Sequence, residues 1–126
     1  MPKQVPSLPN APQPLAPYSI ATEANGLVFI SGQVAVDLTG GPTPADVVEQ
    51  ARLIMHNIGV ILTDLGLGYS DIVKTSIFLA DIADFGRINE VYGSFFPADP
   101  PARSTFQVAG LPRPEFKIEI ETIASR

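Results

Sequence analysis

The feature that most constrains the fold of this chain is a long amphipathic segment near its centre. Apolar side chains recur there at intervals of three and four residues, which is the spacing of one buried helical face. Thr43 is a good N-cap, Pro44 suits the first helical position and Asp46 complements the helix dipole. Gly66 or Gly68 is expected to end the helix. The buried stripe is predicted to comprise residues 47, 51, 54, 55, 58, 61, 62 and 65.

The segment before this helix alternates with the period of two that is typical of strands. Residues 18–24 and 27–36 are predicted to form a hairpin, because Asn25 and Gly26 both tolerate the positive φ of a tight turn. Gly32, inside the second of these strands, indicates a bulge or a point of close approach.

The segment after the helix continues with a strand near 72–80 and a second helix from about 84 to 96. Two last strands are predicted near 104–110 and 116–124. The second helix should turn inward Ile88, Val91, Tyr92 and Phe95. The order is β-β-α-β-α-β-β, which favours an α+β fold with two helices on one face of a sheet.

The first seventeen residues hold six of the thirteen prolines. Because proline has no backbone N–H, residues 1–17 are predicted to be a proline-rich N-terminal arm that runs extended over the surface without ladder hydrogen bonds. Residues 18–126 are then expected to form a single domain, a length that buries a core without disulfides.

Composition excludes several classes of function. The chain contains no cysteine, which excludes disulfides, thiolate metal sites and a cysteine nucleophile. No apolar run approaches the roughly 20 residues of a membrane span, and no charged-then-apolar leader is present, so a cytoplasmic protein is expected. The net charge of −5 makes a nucleic-acid partner unfavourable, since such binding depends on neutralising phosphates.

The face of the predicted sheet that the helices leave open is partly apolar. Phe78 alternates with Ile77 and Leu79, so both faces of that strand carry large hydrophobic side chains. An apolar sheet face without a covering helix is usually buried against another copy of the chain. The pattern therefore predicts a homo-oligomer.

Arg103 is the most distinctive charged residue. It stands in "PPARSTF" at the entrance to a predicted strand, and its guanidinium offers five donors in a planar fork. An anion should meet it there. The residues alone leave open whether this anion is a carboxylate of the chain, a phosphate or a small acid.

Glu119 is the second candidate. In "KIEIETIA" the alternation puts Lys117, Glu119 and Glu121 on one face, which by pattern alone favours a solvated outer face. The functional alternative is a carboxylate in a cleft beside Arg103, handling a proton or a water. Because a short connection joins the last two strands, we expect them to be hairpin neighbours, which would allow Arg103 and Glu119 to meet.

Other polar residues have ordinary explanations. Tyr18 at the start of a strand suits half-buried packing, and Ser31 beside a glycine suits a hydrogen bond to the local backbone. His56 lies opposite the apolar stripe of its helix, and Arg87 opens the second helix, so both are expected at the surface. A single histidine cannot build a histidine-based metal site, and no metal is predicted.

These segments, in this order, resemble the RidA family, which is also called YjgF. The residues that carry the resemblance are "APYSIA" at 16–21, "VFISGQVAVD" at 28–37, the stretch 43–96 with "DIVKTSIFLAD", "PPARST" at 100–105 and "KIEIETIA" at 117–124. The resemblance covers almost the whole chain.

The resemblance implies a chorismate-mutase-like α+β fold that assembles as a homotrimer, with the sheets lining a central barrel and the sites in clefts between subunits. The implied activity is that of a 2-iminobutanoate/2-iminopropanoate deaminase. Such an enzyme hydrolyses reactive enamines and imines, such as 2-aminoacrylate, to 2-keto acids and ammonia. Its partner is a small imine that bears a carboxylate, and no metal or organic cofactor is needed.

Site residues follow from the matching positions. The resemblance implies that Arg103 binds the substrate carboxylate through a bidentate contact, and that Glu119 positions or activates the attacking water. Tyr18 is expected to reach the neighbouring subunit's cleft, and Ser31 to hydrogen-bond near the ligand. The other positions placed at the ligand or the cleft wall are Thr105, Asn89 and Phe85.

Three departures from the family pattern leave the preferred substrate open: Ala16 stands for the usual glycine, Ile20 for glutamine and Thr105 for cysteine. Two other functions also remain as alternatives. Some members of the family are described as translation inhibitors with endoribonuclease activity. A non-catalytic protein that binds small 2-keto acids would use the same arginine.

Overall fold

A computed structural model describes residues 2–126 of the chain. Its elements, in chain order, are β1 (Ala21–Ala24), β2 (Leu27–Gln33), α1 (Val47–Asp64), β3 (Ile72–Leu79), α2 (Phe85–Gly93), β4 (Ala102–Gln107) and β5 (Ile118–Ser125). Two short 3₁₀ turns complete the elements: Tyr69–Asp71 precedes β3, and Ile82–Asp84 precedes α2. The predicted order β-β-α-β-α-β-β and the α+β class are confirmed.

The five strands form one sheet in the order β1-β2-β5-β3-β4, in which only β3 and β4 run parallel. β5 pairs on one side with β2 and on the other with β3. The last two strands are therefore not hairpin neighbours, and that prediction was wrong. A parallel neighbour needs a crossover, and α2 supplies it between β3 and β4.

The turn between β1 and β2 follows the sequence closely. Asn25 and Gly26 have φ values of 53° and 78°, the positive pair that a type I′ turn requires. The register of β2 against β5 shifts between Ile30 and Gln33, so the bulge expected near Gly32 is confirmed. Both strands are shorter than predicted, because the chain leaves the sheet before residue 21 and after residue 33.

The start of α1 differs from the prediction. Asp46, not Thr43, is the N-cap, and its carboxylate accepts hydrogen bonds from the N–H groups of Val48 and Glu49 at 3.2 and 3.4 Å. The Thr43 hydroxyl donates instead to the carbonyl of Ala35, tying the loop to the segment after β2. A carboxylate directly before the first turn also complements the dipole, which favours the later start.

The predicted core stripe of α1 is confirmed. Its members are Val47, Ala51, Ile54, Met55, Ile58, Ile61, Leu62 and Leu65, each buried. The helix ends at Asp64 and is followed by Gly66 with a φ of 75°, as expected for a left-handed C-cap. α2 is shorter than predicted and ends at Gly93, while Ile88, Val91 and Tyr92 are buried and Phe95 is half-buried.

The N-terminal segment is attached more firmly than expected. Gln4 and Glu23 exchange two backbone hydrogen bonds of 2.8 Å and so form an isolated antiparallel bridge to β1. Gln4 can pair in this way because it is not itself a proline. Leu8 packs against the core. Asn10 donates from its backbone and its side-chain nitrogen to the Asp64 carboxylate, at 2.9 and 2.8 Å. The expectation of an arm without ladder hydrogen bonds was wrong at Gln4.

The two faces of the sheet differ in what covers them. Along β5, alternate residues such as Ile118 and Ile120 are buried beneath the helices, which places Glu119 on the opposite face. That open face presents Phe29 and Phe106, which are 42% and 47% exposed.

Among residues 2–126, no helix combines the length and the apolarity needed to cross a membrane. A cytoplasmic location stays a prediction.

Candidate active site

Arg103 lies on β4 beside Thr75 of β3, and its side chain turns towards α2. Its Nη2 donates to Oδ1 of Asn89 at 2.8 Å. The Cζ atom of the guanidinium lies 5.3 Å from the ring centroid of Phe85 and 5.0 Å from that of Tyr92. Both distances are within the range of cation–π attraction.

The spacing on α2 explains this arrangement. Phe85, Asn89 and Tyr92 are separated by four and three residues, so they share one helical face. The structure therefore brings Phe85 and Asn89 to Arg103, as the family resemblance implied. Sequence reasoning placed Tyr92 inward but did not assign it to the site. Its spacing from Phe85 and Asn89 was the available signal.

No carboxylate in residues 2–126 forms an ion pair with Arg103. In that part of the chain, the only hydrogen-bond partner of the Arg103 side chain is the neutral Asn89 oxygen, which occupies one nitrogen of the fork. Aromatic faces and an amide hold the cation without neutralising it, since neither carries a full charge. The guanidinium is thus oriented while most of its donors stay available to an anion.

Thr105 follows Arg103 by two residues on β4 and shares its face of the sheet. Its Oγ1 is buried and has no hydrogen-bond partner among the residues described. A buried hydroxyl without a partner is uncommon, and it offers a donor and an acceptor close to the arginine.

Glu119 lines a cavity of about 360 Å³, whose other walls include Tyr18, Ser31, Gly32 and Glu121. The β2 bulge brings Gly32 so close that a Cβ at this position would overlap the Glu119 carboxylate. Partial burial, and then the charge of Glu121, raise the pKa of Glu119 above its ordinary value. The structure therefore groups three of the predicted site residues, which are Tyr18, Ser31 and Glu119.

Ser31 and Tyr18 make local contacts in the single chain. The Ser31 hydroxyl donates to the carbonyl of Ser19 at 2.6 Å, which is the backbone hydrogen bond that the sequence favoured. Tyr18 lies before β1 rather than inside it and is 42% exposed. Its hydroxyl oxygen accepts from the N–H of Leu15 at 3.3 Å, and much of its ring remains available for a neighbour.

The two groups of site residues lie apart within one chain. On one edge of β3, Arg103 of β4 lies beside Thr75. On the other edge, Glu119 of β5 lies beside Phe78, which is three residues further along β3. Standard strand geometry separates their Cα atoms by about 14 Å, from about 10 Å along the strands and about 10 Å across them. Their side chains also leave opposite faces of the sheet. The predicted meeting of Arg103 and Glu119 between neighbouring strands was wrong.

The remaining charged candidates lie outside both groups. His56 is exposed on α1, as predicted. Arg87 is also exposed, but it pairs with Asp46 at 2.7 Å and with Asp84 at 3.6 Å, linking α2 to the start of α1. Within residues 2–126, no cluster of three or more His, Asp or Glu side chains could hold a metal ion.

The chain is an α+β domain whose candidate site residues form two half-sites, one of Arg103, Asn89 and Phe85 and the other of Glu119, Tyr18 and Ser31. The first half-site holds an oriented guanidinium, and the second holds a carboxyl whose pKa is raised. The chain belongs to the RidA (YjgF) family, and its residues 8–126 match the family profile described as Endoribonuclease L-PSP. The resemblance found in the sequence is confirmed.

Several known proteins are similar to this chain over nearly its whole length. The Reactive Intermediate Deaminase A, chloroplastic, of Arabidopsis thaliana is 49% identical over 124 residues, covering 98% of this chain and 66% of that protein. The 2-iminobutanoate/2-iminopropanoate deaminase of Mus musculus is 42% identical over 123 residues, covering 97% and 90%. The crystal structure of Escherichia coli TdcF with bound serine superposes with a TM-score of 0.89 at 42% identity, covering 98% of each chain.

Proposed function

We propose that this protein is a deaminase that hydrolyses small reactive imines and enamines to 2-keto acids and ammonia. The candidate substrates are 2-iminobutanoate and 2-iminopropanoate, with 2-aminoacrylate as an enamine precursor. The observation that carries the proposal is the Arg103 guanidinium, which Asn89 and two aromatic rings orient without an acidic partner. Relatives at 49% and 42% identity are named as deaminases of this kind.

Arg103 is proposed to bind the substrate carboxylate. A guanidinium fork holds a carboxylate through two parallel hydrogen bonds, which fixes its orientation as well as its charge. The serine bound to TdcF, a relative of the same fold, is a small molecule with a carboxylate, in keeping with this role. Thr105 adds a hydroxyl on the same face of β4 for a second contact to the ligand.

Glu119 is proposed to handle the proton and the water. An enamine accepts a proton at its terminal carbon and becomes an iminium, whose C=N carbon is then open to attack. Water adds to that carbon, its proton passes to the nitrogen and ammonia leaves as the C=O bond forms. A carboxyl with a raised pKa can donate the first proton and, once ionised, orient the water as a general base.

A complete site is proposed to need two protomers. The half-sites leave opposite faces of one sheet, and the open face carries exposed Phe29 and Phe106, which a second copy would cover. In the homotrimer expected from the family, Arg103 with Asn89 and Phe85 comes from one protomer. Glu119, with Tyr18 and Ser31, comes from its neighbour across the cleft.

A coupled assay tests this function. Threonine or serine dehydratase generates the enamine in place, and added protein should accelerate keto acid formation. Arg103→Ala should abolish the acceleration, while Arg103→Lys keeps the charge but loses the fork and should raise KM by about 10- to 100-fold. The control is Arg52→Lys, on the outer face of α1, which should behave as the unaltered protein. No acceleration at any protein concentration would overturn the proposal.

Two other results would assign a different function. Tight binding of 2-oxobutanoate without turnover would make the protein a keto acid binder that uses the same arginine. Cleavage of messenger RNA at low salt, lost in Arg103→Ala, would favour the endoribonuclease activity that the family description names. The net charge of −5 weighs against a nucleic-acid substrate.

A further inference from the structure

Thr75 and Tyr92 form a buried hydroxyl pair directly beneath the candidate site. Their oxygens lie 2.6 Å apart, and the two residues are 1% and 5% exposed. Thr75 is also the residue of β3 that stands beside Arg103 of β4. Three contacts therefore link these residues in a ring. The backbone of Arg103 lies beside Thr75, the Thr75 hydroxyl bonds the Tyr92 hydroxyl, and the Tyr92 ring lies against the Arg103 guanidinium.

The two rings beside Arg103 differ in how firmly they are held. Phe85 is 42% exposed and has no polar group to anchor it, whereas Tyr92 is buried and joined to the sheet through its hydroxyl. Asn89 fixes one nitrogen of the fork, and it sits on the same helix as both rings. The Thr75–Tyr92 hydrogen bond therefore fixes the distance between α2 and the pair of strand residues Thr75 and Arg103. The face of α2 that it holds is the one with Phe85, Asn89 and Tyr92.

We propose that Thr75 and Tyr92 are positioning residues that hold the Arg103 guanidinium in the orientation that accepts the substrate carboxylate. This inference rests on the proposed function and deepens it, because it names the residues on which carboxylate recognition depends. Neither residue touches the substrate. Without the hydroxyl pair, Tyr92 can move relative to β3, and the guanidinium loses the fixed surface against which it lies.

The test compares Thr75→Val, Tyr92→Phe and the double variant in the coupled deaminase assay. Each single change removes one oxygen and keeps the shape of the side chain. We expect KM to rise about 5- to 10-fold with kcat within about 2-fold, because only carboxylate orientation is impaired. The double variant should match either single variant rather than multiply their effects, since one hydrogen bond is lost in all three.

Thr122→Val provides a matched control. Thr122 stands beside Thr75 on β5, is 1% exposed, and its Oγ1 has no hydrogen-bond partner in the described chain. Thr122→Val thus makes the same chemical change as Thr75→Val at the residue paired with Thr75, one strand further from Arg103. Thr122→Val should leave both KM and kcat unchanged, which separates positioning from a general disturbance of the core.

A second readout does not require turnover. The dissociation constant for 2-oxobutanoate, measured by calorimetry, should rise with the KM values in Thr75→Val and Tyr92→Phe and stay constant in Thr122→Val. Should Thr75→Val fail to fold, Tyr92→Phe carries the test alone, since it removes a single oxygen.

The outcomes distinguish this inference from the proposed function. If the unaltered protein is active and depends on Arg103, but Thr75→Val and Tyr92→Phe behave like Thr122→Val, the positioning role is overturned and the deaminase stands. If the unaltered protein neither turns over the imine nor binds 2-oxobutanoate, the proposed function fails, and the positioning role falls with it.

Discussion

Arg103 and Glu119 leave opposite faces of the same sheet, on strands that flank β3, at rungs three residues apart. This relationship decides how the candidate site can be built. The arginine lacks an acid partner, and the carboxyl with a raised pKa lacks a cation among the residues described. The guanidinium is free to bind an anion and the carboxyl is free to exchange a proton, but a single protomer does not bring these two groups together.

Replacing Glu119 by glutamine should remove activity while keeping the size of the side chain. Glutamine neither accepts a proton nor acts as a general base, so we expect kcat to fall by about 100-fold or more. Hydrolysis of a preformed imine needs only the ionised carboxyl, so with that substrate the acid limb of the pH–rate profile of the unaltered protein should have an apparent pKa above that of ordinary glutamate, because burial raises the pKa of Glu119. Retention of that limb in Glu119→Gln would assign it to another group.

The same substitution should affect stability in the opposite direction. A carboxyl whose pKa is higher in the folded protein stabilises the fold only while it is protonated. Stability is therefore lost as the pH rises from the ordinary glutamate pKa through the raised pKa of Glu119. Glu119→Gln should melt at the same or a higher temperature than the unaltered protein at pH 7, with the difference vanishing at low pH. A lower Tm at pH 7 would contradict this account.

Gly32→Ala should displace the Glu119 carboxylate, because the added Cβ would overlap it. Moving a catalytic group by about 1 Å can cost about 100-fold in rate, so a loss of this order in kcat is expected with binding of 2-oxobutanoate largely retained. Gly68→Ala is the control, since no atom lies within 4 Å of the Cβ it would add. Equal activity of the two variants would show that the close approach of Gly32 does not position Glu119.

The ion pair between Asp46 and Arg87 should stabilise the contact between the two helices. The Arg87 side chain lowers the pKa of Asp46, so this contribution is present above the ordinary aspartate pKa and is lost as the pH falls through the lowered value. Asp46→Asn keeps a cap but loses the charge, whereas Asp46→Ala loses both. Thermal melting at pH 7 should show the larger decrease for Asp46→Ala.

Glu49→Gln is the matched control for this pair. It breaks the exposed Arg52–Glu49 contact of 3.4 Å on the same helix, and such pairs contribute little to stability. A decrease in Tm for Glu49→Gln as large as that for Asp46→Asn would mean that any charge near the start of α1 has this effect.

Local patterns predicted the parts of the fold that depend on nearby residues. The α1 stripe could be identified because helical periodicity puts Val47 through Leu65 on one face, and the Asn25-Gly26 turn because few residue pairs tolerate two positive φ values. The N-cap was harder to predict. Thr43 and Asp46 are both good caps, and the choice between them depends on the distant carbonyl of Ala35, which takes the Thr43 hydroxyl.

Strand pairing depends on contacts that no local pattern encodes. A short link between β4 and β5 suggested a hairpin, but β5 fills the place between β2 and β3, where both of its edges are paired. This error produced the wrong meeting of Arg103 and Glu119. The motifs placed Phe85 and Asn89 at the cleft wall, and the structure does bring both residues to Arg103, because matching a motif does not require knowing which strands are neighbours. The separation of Arg103 from Glu119 could not be predicted, since it depends on the strand order.

Subunit complementation tests the shared site most directly. Arg103→Ala and Glu119→Ala should each be inactive. If the protein is the proposed homotrimer, trimers reassembled from an equal mixture of the two should recover about a quarter of the normal activity. Three quarters of such trimers are mixed, and each of these has one interface with both residues intact. Recovery near this level would support a site built from Arg103 of one protomer and Glu119 of its neighbour. A mixture as inactive as its parents, with mixed trimers verified by mass spectrometry, would contradict it.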